Sequence, residues 1–495
     1  MTDPQLVKNK LPKWLKYIIL LFPFVIACFQ LRTLDNDFYF LYPTGEYILK
    51  NGFPHTDFLS MHTDMKLVLQ QWLSTVIFYL TYSRLGIIGL SVLLYICYAL
   101  ICFLTYKTIR LITKNELVAA VLSAVIDILI FNPFIVTRPQ IFTYVILLLD
   151  IWLLEKHAQT KQYKYLIGIP LLSLAQINLH ASMWPMLFVF MLPYIAGAIP
   201  VKIKSFKLEA EGSLIGLFAA LAAGAAVGFL NPYGLDNVIY LTSSYGQNKL
   251  SETIAEMRPA DISTHYGKIM IVLAILLGVI GFFIRNKKFS VRFFCLFMGT
   301  LLLGLMHRKG IPYFVIFGTI AFSYVLKDVE VKVPAKFKDK ITGRTEALAA
   351  VILILITVSV SAYNLYKSIE AVPGQRAHYD RLDDVIEILN KSEEPVVLYA
   401  NFNDGQYLEY KGYHPYIDGR AELFLWQNNE DYEYIGEYYD LRSAHMYYRD
   451  FTDRYMFNYL ILGENSDRYL LESLSHDDDF ELAYEEGGVL LFARK

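Results

Sequence analysis

Two carboxylates, Asp35 and Asp37, come just after the first long apolar segment of the chain. They open an acidic, aromatic-rich stretch that runs from Thr33 to Trp72 and then re-enters apolar sequence. A pair of carboxylates at the mouth of a membrane bundle suits a general base or a cation site. The other interpretation is a solvated loop whose charges repel lipid phosphates. The sequence leaves both open.

Basic side chains concentrate in three short motifs beside apolar runs, NPFIVTRPQ, EMRPAD and MHRKG. Their cations are Arg138, Arg258, Arg308 and Lys309. In the topology described below, these motifs lie at the outer surface, together with His180 in NLHAS and Asn231 in NPYG. Cations in such a place can neutralise a lipid-linked phosphate, and Arg does so with paired hydrogen bonds. Alternatively, each cation reaches a lipid headgroup or pairs with a loop carboxylate.

The composition indicates that a membrane protein holds these residues. Of the 495 residues, 55% are hydrophobic and only 19% are charged, and the apolar residues form long unbroken runs. The formal net charge of -2 and the lack of a basic domain give no reason to expect nucleic acid as a partner. Every cysteine lies inside an apolar run and none has a metal-ligand spacing; they are Cys28, Cys97, Cys102 and Cys295.

The apolar runs predict a polytopic helix bundle with about eleven crossings. The predicted spans are 17–31, 86–106, 116–131, 140–155, 165–179, 183–199, 213–230, 268–284, 293–306, 311–326 and 346–363. Lysines before the first span predict a cytoplasmic N-terminus. If Leu67–Tyr82 lies in the outer interface instead of crossing, the basic loops fall on the cytoplasmic side. The prediction is therefore a bundle over 1–366, with outer loop 33–66 and interfacial helix 67–82, in the cell membrane.

Residues 367–495 read as a small extracytoplasmic α/β domain, because they are charged, Tyr-rich and without a span-length apolar run. Strands are predicted at 396–400, 414–418, 459–463, 480–486 and 488–494, and helices near 430–446 and 466–475. Glu486-Gly487-Gly488 suits a hairpin turn. Four charged residues end strands or open helices, and their spacing favours a buried salt-bridge cluster over a binding site; they are Asp404, Asp418, Arg420 and Glu422.

Several segments together resemble the GT-C membrane glycosyltransferases, which use polyprenyl-phosphate sugars as donors. The similarity is greatest to a largely uncharacterised bacterial branch with an Asp-x-Asp, aromatics, a Gly, a G-x-P-x-x-D-x-x-S run and a Trp-Leu. The matching segments are Asp35-Asn36-Asp37, Phe38–Phe40, Gly45, GFPHTDFLS (52–60), Trp72-Leu73, TRPQ (137–140), NLH (178–180), NPYG (231–234), NDGQYL (403–408) and IDGR (417–420). The resemblance covers nearly the whole chain, and its specificity lies in the order and spacing of these motifs.

The resemblance implies roles for the candidate residues. A polyprenyl-phosphate sugar carries a good leaving group, so one carboxylate must deprotonate the acceptor hydroxyl and cations must stabilise the departing phosphate. Asp37 would be the base, with Asp35 second. Arg138, Arg258, Arg308 and Lys309 would hold the donor phosphate, and His180, Asn231 and Asp57 the acceptor or sugar. A single displacement would invert the anomeric carbon. The partners of the protein would be a polyprenyl-phosphate-linked sugar, membrane lipid and an extracytoplasmic acceptor.

The sequence departs from the family pattern at two places. Relatives commonly carry a His where this chain has Leu41, and a His-Glu where it has Gln70-Gln71. No cofactor is required by the sequence, and no ligand spacing supports a divalent metal. The departures favour a second class, an inactive scaffold or binding protein of the envelope. A third class is a lipid-linked sugar transporter, although no internal repeat is visible.

Overall fold

The structure, a computed structural model, describes residues 22, 23, 25, 34–203, 206–244, 255–284, 289–327, 343–426, 428 and 433–495. The predicted first span, 17–31, lies almost wholly outside the described residues. The helices, in chain order, are α1 (Phe38–Asn51), α2 (Trp72–Thr113), α3 (Glu116–Phe134), α4 (Gln140–Thr160), α5 (Gly168–Leu179), α6 (Trp184–Gly197), α7 (Leu214–Val227), α8 (Leu235–Ser244), α9 (His265–Phe283), α10 (Val291–Met306), α11 (Arg308–Leu326), α12 (Gly343–Leu389), α13 (Phe402–Tyr410), α14 (Tyr434–Arg442), α15 (Tyr448–Arg454) and α16 (Arg468–Ser475).

Apolar helices make the chain a membrane protein. Four described helices are long and apolar enough to cross a bilayer, namely α2, α3, α9 and α11, and shorter apolar helices include α7 and α10. Each predicted span from 86–106 onward contains a helix, with ends shifted by a few residues or, for α12, extended to Leu389. The number of crossings and the side of each terminus stay predictions.

The predicted interfacial helix differs from the observed one at both ends. Helix α2 begins at Trp72 rather than at Leu67, and it continues to Thr113. Gly86 interrupts it with a non-helical φ of 58° and ψ of −153°, a conformation that glycine adopts without steric strain. Residues 72–85 therefore form a helical stretch separated by a kink from 87–113. Its location in the membrane interface stays a prediction.

The chain divides into two compact units. The first, here called the bundle unit, comprises Met1–Leu31, Ser91–Leu230 and Ser251–Lys367. The second, the sheet unit, comprises Arg32–Leu90, Asn231–Leu250 and Ser368–Lys495. The sequence grouped 33–82 with the bundle, whereas the structure groups this segment with the C-terminal residues. Long-range polar contacts account for the difference, as described below.

The bundle unit has one apolar core made by helices α2 to α7 and α9 to α11. Helix α10 packs against α6 and against the π-helical turn Phe314–Gly318 within α11, and α5 packs against α7. Small residues allow some of the close approaches: a Cβ at Gly228 would lie 2.2 Å from the Trp184 ring. A hairpin of two short strands, β1 (Val201–Ile203) and β2 (Phe206–Leu208), connects α6 to α7.

The sheet unit contains a four-stranded sheet in the order β3-β4-β6-β5. Its strands are β3 (Leu398–Tyr399), β4 (Tyr459–Gly463), β5 (Phe480–Glu486) and β6 (Val489–Arg494). β3 runs parallel to β4, and the other neighbours are antiparallel. The predicted strand at 414–418 is wrong, since this segment makes only one bridge, between Pro415 and Leu398. Gly487 and Gly488 form the predicted turn with φ of 54° and 85°.

The predicted outer loop contains a helix, α1, that starts directly after Asp37. Its buried side is mostly apolar and includes Phe38, Leu41 and Ile48. Gly45 permits close packing, because a Cβ there would lie 2.3 Å from the carbonyl oxygen of Thr75 on α2. The segment is therefore packed structure instead of a solvated loop, and the glycine in the family pattern has a steric reason here.

Candidate functional site

The acidic pair lies in the turn that begins α1, within the sheet unit. The carboxylate of Asp35 accepts a hydrogen bond from the backbone N–H of Asp37 at 3.2 Å, and its carbonyl accepts from Phe38 at 3.0 Å. Asp37 is the N-cap residue of α1, and both carboxylates are half-buried. A helix N-terminus favours negative charge, so the position of Asp37 suits a carboxylate.

Asn36, between the two carboxylates, connects this turn to the C-terminal residues. Its Oδ1 accepts a hydrogen bond from the Tyr379 hydroxyl at 3.1 Å, and its Nδ2 donates to the Asn403 carbonyl at 3.4 Å. Tyr39 packs on the rings of Tyr379 and Tyr407, with centroids 4.9 Å away in each case. The NDGQYL motif therefore supports the Asp-Asn-Asp motif, which explains why both occur in one pattern.

A histidine that sequence reasoning missed lies beside Asn403. The Nε2 of His378 lies 2.6 Å from Oδ1 of Asp404, and Oδ2 of Asp404 accepts from Asn401 at 2.6 Å. This bond to Asp404 raises the pKa of His378 above its ordinary value. Asp404 was predicted in a salt-bridge cluster with Arg420 and instead pairs with His378. His378 and Asp404 lie on different helices 26 residues apart, and no spacing rule connects them.

Arg420 forms the predicted buried cluster, with partners that differ from those predicted. Its guanidinium donates to Asp418 at 2.6 and 2.9 Å, to Asp57 at 2.6 and 3.3 Å, and to Glu409 at 3.2 Å. Burial by itself raises the pKa of Asp57, but Arg420 and Ser60 outweigh it and lower that pKa. Burial and the neighbouring Asp418 raise the pKa of Glu409 well above its ordinary range. One guanidinium thus faces three carboxylates, and the crowding of these acids disfavours the charged form of Glu409.

Asp57 was predicted to bind acceptor or sugar, and the structure places it in the buried cluster around Arg420. Its side chain is buried, and both carboxylate oxygens are bonded to Arg420. Ser60 donates to the same carboxylate through its hydroxyl at 2.6 Å and its backbone N–H at 3.0 Å. Asp57 therefore connects the GFPHTDFLS run to the IDGR motif, and a role for it in binding acceptor or sugar stays a prediction. The signal for this role was the Asp418–Arg420 spacing, which identified only half of the cluster.

Asn231 stabilises the NPYG turn. Its Oδ1 accepts from the backbone N–H of Tyr233 at 2.9 Å and from Asn237 at 3.3 Å. Asn237 in turn accepts a hydrogen bond from Gln70 at 2.7 Å. Gln70 stands where relatives carry a His, and here it is buried in this amide chain. The structure thus explains both residues by their contacts within the sheet unit, whereas a sugar-binding role for Asn231 stays a prediction.

The predicted phosphate-binding arginines come together in the bundle unit. The backbone N–H of Arg308 donates to the carbonyl of Arg258 at 2.9 Å, and Nδ1 of His307 lies 2.9 Å from the Met257 carbonyl oxygen. Arg138 reaches the same segment through an ion pair with Glu256 at 2.7 Å. Three motifs far apart in sequence therefore meet around residues 256–261.

The ion pairs of these arginines are partly solvated. Glu256 and Asp261 are 51% and 48% exposed, and the Arg308–Asp261 pair is long, at 3.8 Å. Arg308 also donates to the Pro259 carbonyl at 3.3 Å. Exposed ion pairs contribute little stability and exchange partners readily. An incoming phosphate can therefore replace either carboxylate at a small free-energy cost.

His180 is buried between α5 and α6 in the same unit. Its Nδ1 lies 2.8 Å from the Thr143 hydroxyl, and its carbonyl accepts from the Gln176 amide at 2.9 Å. Burial and the ammonium of Lys309 lower the pKa of His180 to about 3. The imidazole is therefore neutral, and Lys309 lies within its electrostatic reach. Thr143 and Gln176 were not predicted from the sequence.

Metal ligands do not cluster in the part of the chain that the structure describes: no group of three or more His, Cys, Asp and Glu side chains there could hold a metal ion. The acidic turn and the Arg420 cluster have partners of their own, which are amide, hydroxyl and guanidinium groups. The arrangement thus provides carboxylates in the sheet unit and a group of cations in the bundle unit.

Comparisons with known proteins extend this description. No family model matches the sequence, and no curated protein is similar to it. Among solved structures, the chain is similar to the Archaeoglobus fulgidus oligosaccharyltransferase tethered with an acceptor peptide, at 10% identity and a TM-score of 0.48, over 98% of this chain and 74% of that one. The apo form of the same enzyme gives 11% identity and 0.49 over 91% and 70%.

A second protein in this comparison is ArnT from Cupriavidus metallidurans bound to undecaprenyl phosphate. It is similar at 12% identity and a TM-score of 0.43, over 97% of each chain. The oligosaccharyltransferase and ArnT are both GT-C membrane glycosyltransferases, the family that the sequence motifs resemble.

Proposed function

We propose that this chain is an integral membrane glycosyltransferase that moves a sugar from a polyprenyl-phosphate donor to an extracytoplasmic acceptor with inversion. The observation that carries the proposal is the meeting of Arg138, Arg258 and Arg308 around one short segment. Arginines that share one segment can supply cations to a phosphate that gains negative charge as it departs. That ArnT binds undecaprenyl phosphate agrees with a lipid-linked donor.

The acceptor hydroxyl needs a base, and Asp37 is the proposed one. The oxygen of the acceptor hydroxyl attacks the anomeric carbon of the donor sugar. The bond from that carbon to the phosphate oxygen breaks at the same time, and the phosphate leaves with the electron pair. The acceptor proton passes to the Asp37 carboxylate. Asp35 supports this role, because its bond to the Asp37 N–H fixes the turn. Asp35 is thus a positioning residue in the proposal.

Lys309 and His180 extend the proposed donor site beyond the arginines. Lys309 follows Arg308 directly in the chain and acts electrostatically on His180. Neither Glu256 nor Asp261 blocks phosphate binding, because both are about half exposed and move with little penalty. The donor phosphate would replace these carboxylates as the partner of Arg138 and Arg308.

Binding of undecaprenyl phosphate to the purified full-length protein in detergent tests the donor site. Arg138→Ala and Arg308→Ala should each weaken binding by roughly ten- to a hundredfold, as expected for a lost charge-assisted contact of about 1.5–3 kcal/mol. The control is Arg110→Ala, which removes an arginine paired at 2.8 Å with an exposed carboxylate, Glu116, elsewhere in the same unit. If Arg138→Ala and Arg308→Ala both bind undecaprenyl phosphate as tightly as the control does, these arginines contact lipid headgroups or only form their ion pairs.

A second candidate, a non-catalytic scaffold of the envelope, has one specific observation in its favour. Several positions of the family pattern serve the fold here: Asp57 and Arg420 bond to each other, and Gln70, which replaces the His of the pattern, belongs to an amide chain. A protein that had lost its activity would still need these motifs for such contacts. Asp37 separates the two candidates, since a scaffold does not need its carboxylate to accept a proton.

A further inference from the structure

The hydrogen bonds around His180 fix which ring nitrogen carries the proton. The Gln176 Nε2 donates to the His180 carbonyl at 2.9 Å, and since a carbonyl only accepts, the amide orientation is determined. The same Nε2 donates to the Thr143 hydroxyl oxygen at 2.9 Å. Thr143 is fully buried, so its own hydrogen needs an acceptor, and Nδ1 of His180 lies 2.8 Å away. Nδ1 therefore accepts, and the proton is on Nε2.

The Nε2–H of His180 is thus a hydrogen-bond donor without an assigned acceptor, in a side chain that is nearly buried. His180 is only 6% exposed, and among the described residues its Nε2 has no hydrogen-bond acceptor. A donor without a partner at so low an exposure is unfavourable, and an acceptor from a ligand would satisfy it. The ammonium of Lys309 acts electrostatically on the same imidazole. A neutral N–H within the electrostatic reach of an ammonium suits an anionic oxygen better than a cation.

We propose that Nε2–H of His180 donates a hydrogen bond to a phosphate oxygen of the lipid-linked donor, and that Thr143 and Gln176 are positioning residues that hold the imidazole in this tautomer. The inference rests on the proposed function and deepens it. It moves His180 from the predicted acceptor or sugar site to the phosphate, and it gives Gln176 and Thr143 a role that reaches the donor only through the ring.

Two substitutions of His180 separate its nitrogens. The amide of Gln places an N–H close to the position of Nε2, whereas the shorter amide of Asn reaches only the position of Nδ1. In full-length protein in detergent, His180→Asn should weaken undecaprenyl phosphate binding on the order of tenfold, and His180→Gln should bind nearly as the unaltered chain does. Equal binding by His180→Asn and the unaltered chain, or equal loss in both variants with intact thermal stability, would overturn the proposal.

The tautomer itself is measured by ¹⁵N NMR of histidine-labelled protein, with the His180 signal identified by its loss in His180→Gln. The unaltered chain should show protonated Nε2, as should Thr143→Ser, which keeps the hydroxyl. Thr143→Val removes that donor and should shift the ring toward protonated Nδ1 and weaken phosphate binding. A merely structural role for Thr143 would leave the tautomer unchanged. Protonated Nδ1 in the unaltered chain would contradict the inference.

The same titrations distinguish the two proposals and the source of the phosphate. If Arg308→Ala loses binding and His180→Asn does not, only the histidine inference fails. If neither variant loses binding, the donor site itself fails. Inorganic phosphate is titrated as a second probe: a His180→Asn loss with both probes indicates a site for any phosphate, and a loss with undecaprenyl phosphate alone indicates the lipid-linked form.

Discussion

At the scale of single residues, Arg420 shows how a motif residue can serve the fold. It is the one cation in a buried cluster with Asp57, Asp418 and Glu409, and Asp57 lies 363 residues away in the chain. Buried ion pairs of this kind hold separate segments in a fixed relation more than they add net stability. The IDGR and GFPHTDFLS motifs are thus two halves of one structural contact.

Removing the cation from this cluster should destabilise the sheet unit strongly. Arg420→Met keeps much of the side-chain volume but leaves the carboxylates without a counter-ion, which typically lowers the free energy of unfolding by about 3–5 kcal/mol. Thermal unfolding of the purified protein in detergent measures the effect. Asp64→Asn is the control, because Asp64 is exposed in the same segment, and it should unfold as the unaltered chain does. Equal melting of both variants would show that the cluster contributes nothing.

At the scale of elements, α1, α12 and α13 meet at the acidic turn. Asn36 bonds to Tyr379 on α12 and to Asn403 on α13, and His378 joins α12 to α13 through Asp404. Arg381 also acts on His378 and opposes its protonation. One of the contacts between α12 and α13 therefore depends on the charge of a half-exposed histidine.

This histidine predicts a pH dependence with a definite sign. Since the folded-state pKa of His378 is raised, its stabilisation is complete below the ordinary value of about 6.5 and disappears as the pH rises through the raised value. From about pH 6 to 8, the unaltered chain should lose thermal stability relative to His378→Gln, which keeps a donor for Asp404 but does not titrate. Parallel pH profiles for the two proteins would exclude the contribution.

How far the sequence predicts these elements depends on the kind of signal. Apolar runs identify the bundle helices, and alternation with a Gly-Gly turn identifies β5 and β6, because both signals are local. Helix α1 was missed, since Pro43 and Gly45 mimic a loop and its buried side is visible only in the structure. The segment 414–418 was predicted as a strand from its sequence. In the structure, the Tyr416 N–H donates to the Leu398 carbonyl and the Pro415 carbonyl accepts from the Met61 N–H, so the two bonds go to different segments and form no ladder.

The candidate site residues show the same difference between local signals and contacts across the fold. The outer arginines were predicted to share one site because a topology model placed them on one surface, and the structure brings three of them to one segment. The bond of Asp57 to Arg420 was not predicted, and His378, Thr143 and Gln176 were missed. Each of these side chains is defined by a partner on another element, and a single sequence contains no signal for such a pair.

At the level of the whole molecule, the predicted topology decides on which side of the membrane the arginines lie. In a chain whose own cysteines are replaced by Ala, a cysteine at Asp64 should react with an impermeant thiol reagent in intact cells. A cysteine at Gln162, exposed between α4 and α5 in a predicted cytoplasmic loop, should react only after the membrane is opened. Labelling of Gln162→Cys in intact cells would reverse the orientation and remove Arg138 from the outer surface.

The proton acceptor distinguishes a glycosyltransferase from a scaffold, since the enzyme needs it and the scaffold does not. Asp37→Asn keeps the size of the side chain but cannot take up a proton at neutral pH. In a strain that lacks the gene, the lipid-linked sugar that accumulates is measured after complementation with the unaltered chain, Asp37→Asn, Asp35→Asn and the exposed control Asp64→Asn. General-base catalysis is worth about 10²–10⁴ in rate, so Asp37→Asn should leave the sugar accumulated, Asp35→Asn should clear it partly, and Asp64→Asn should clear it fully. Full clearance by Asp37→Asn, at equal protein abundance, would contradict the account.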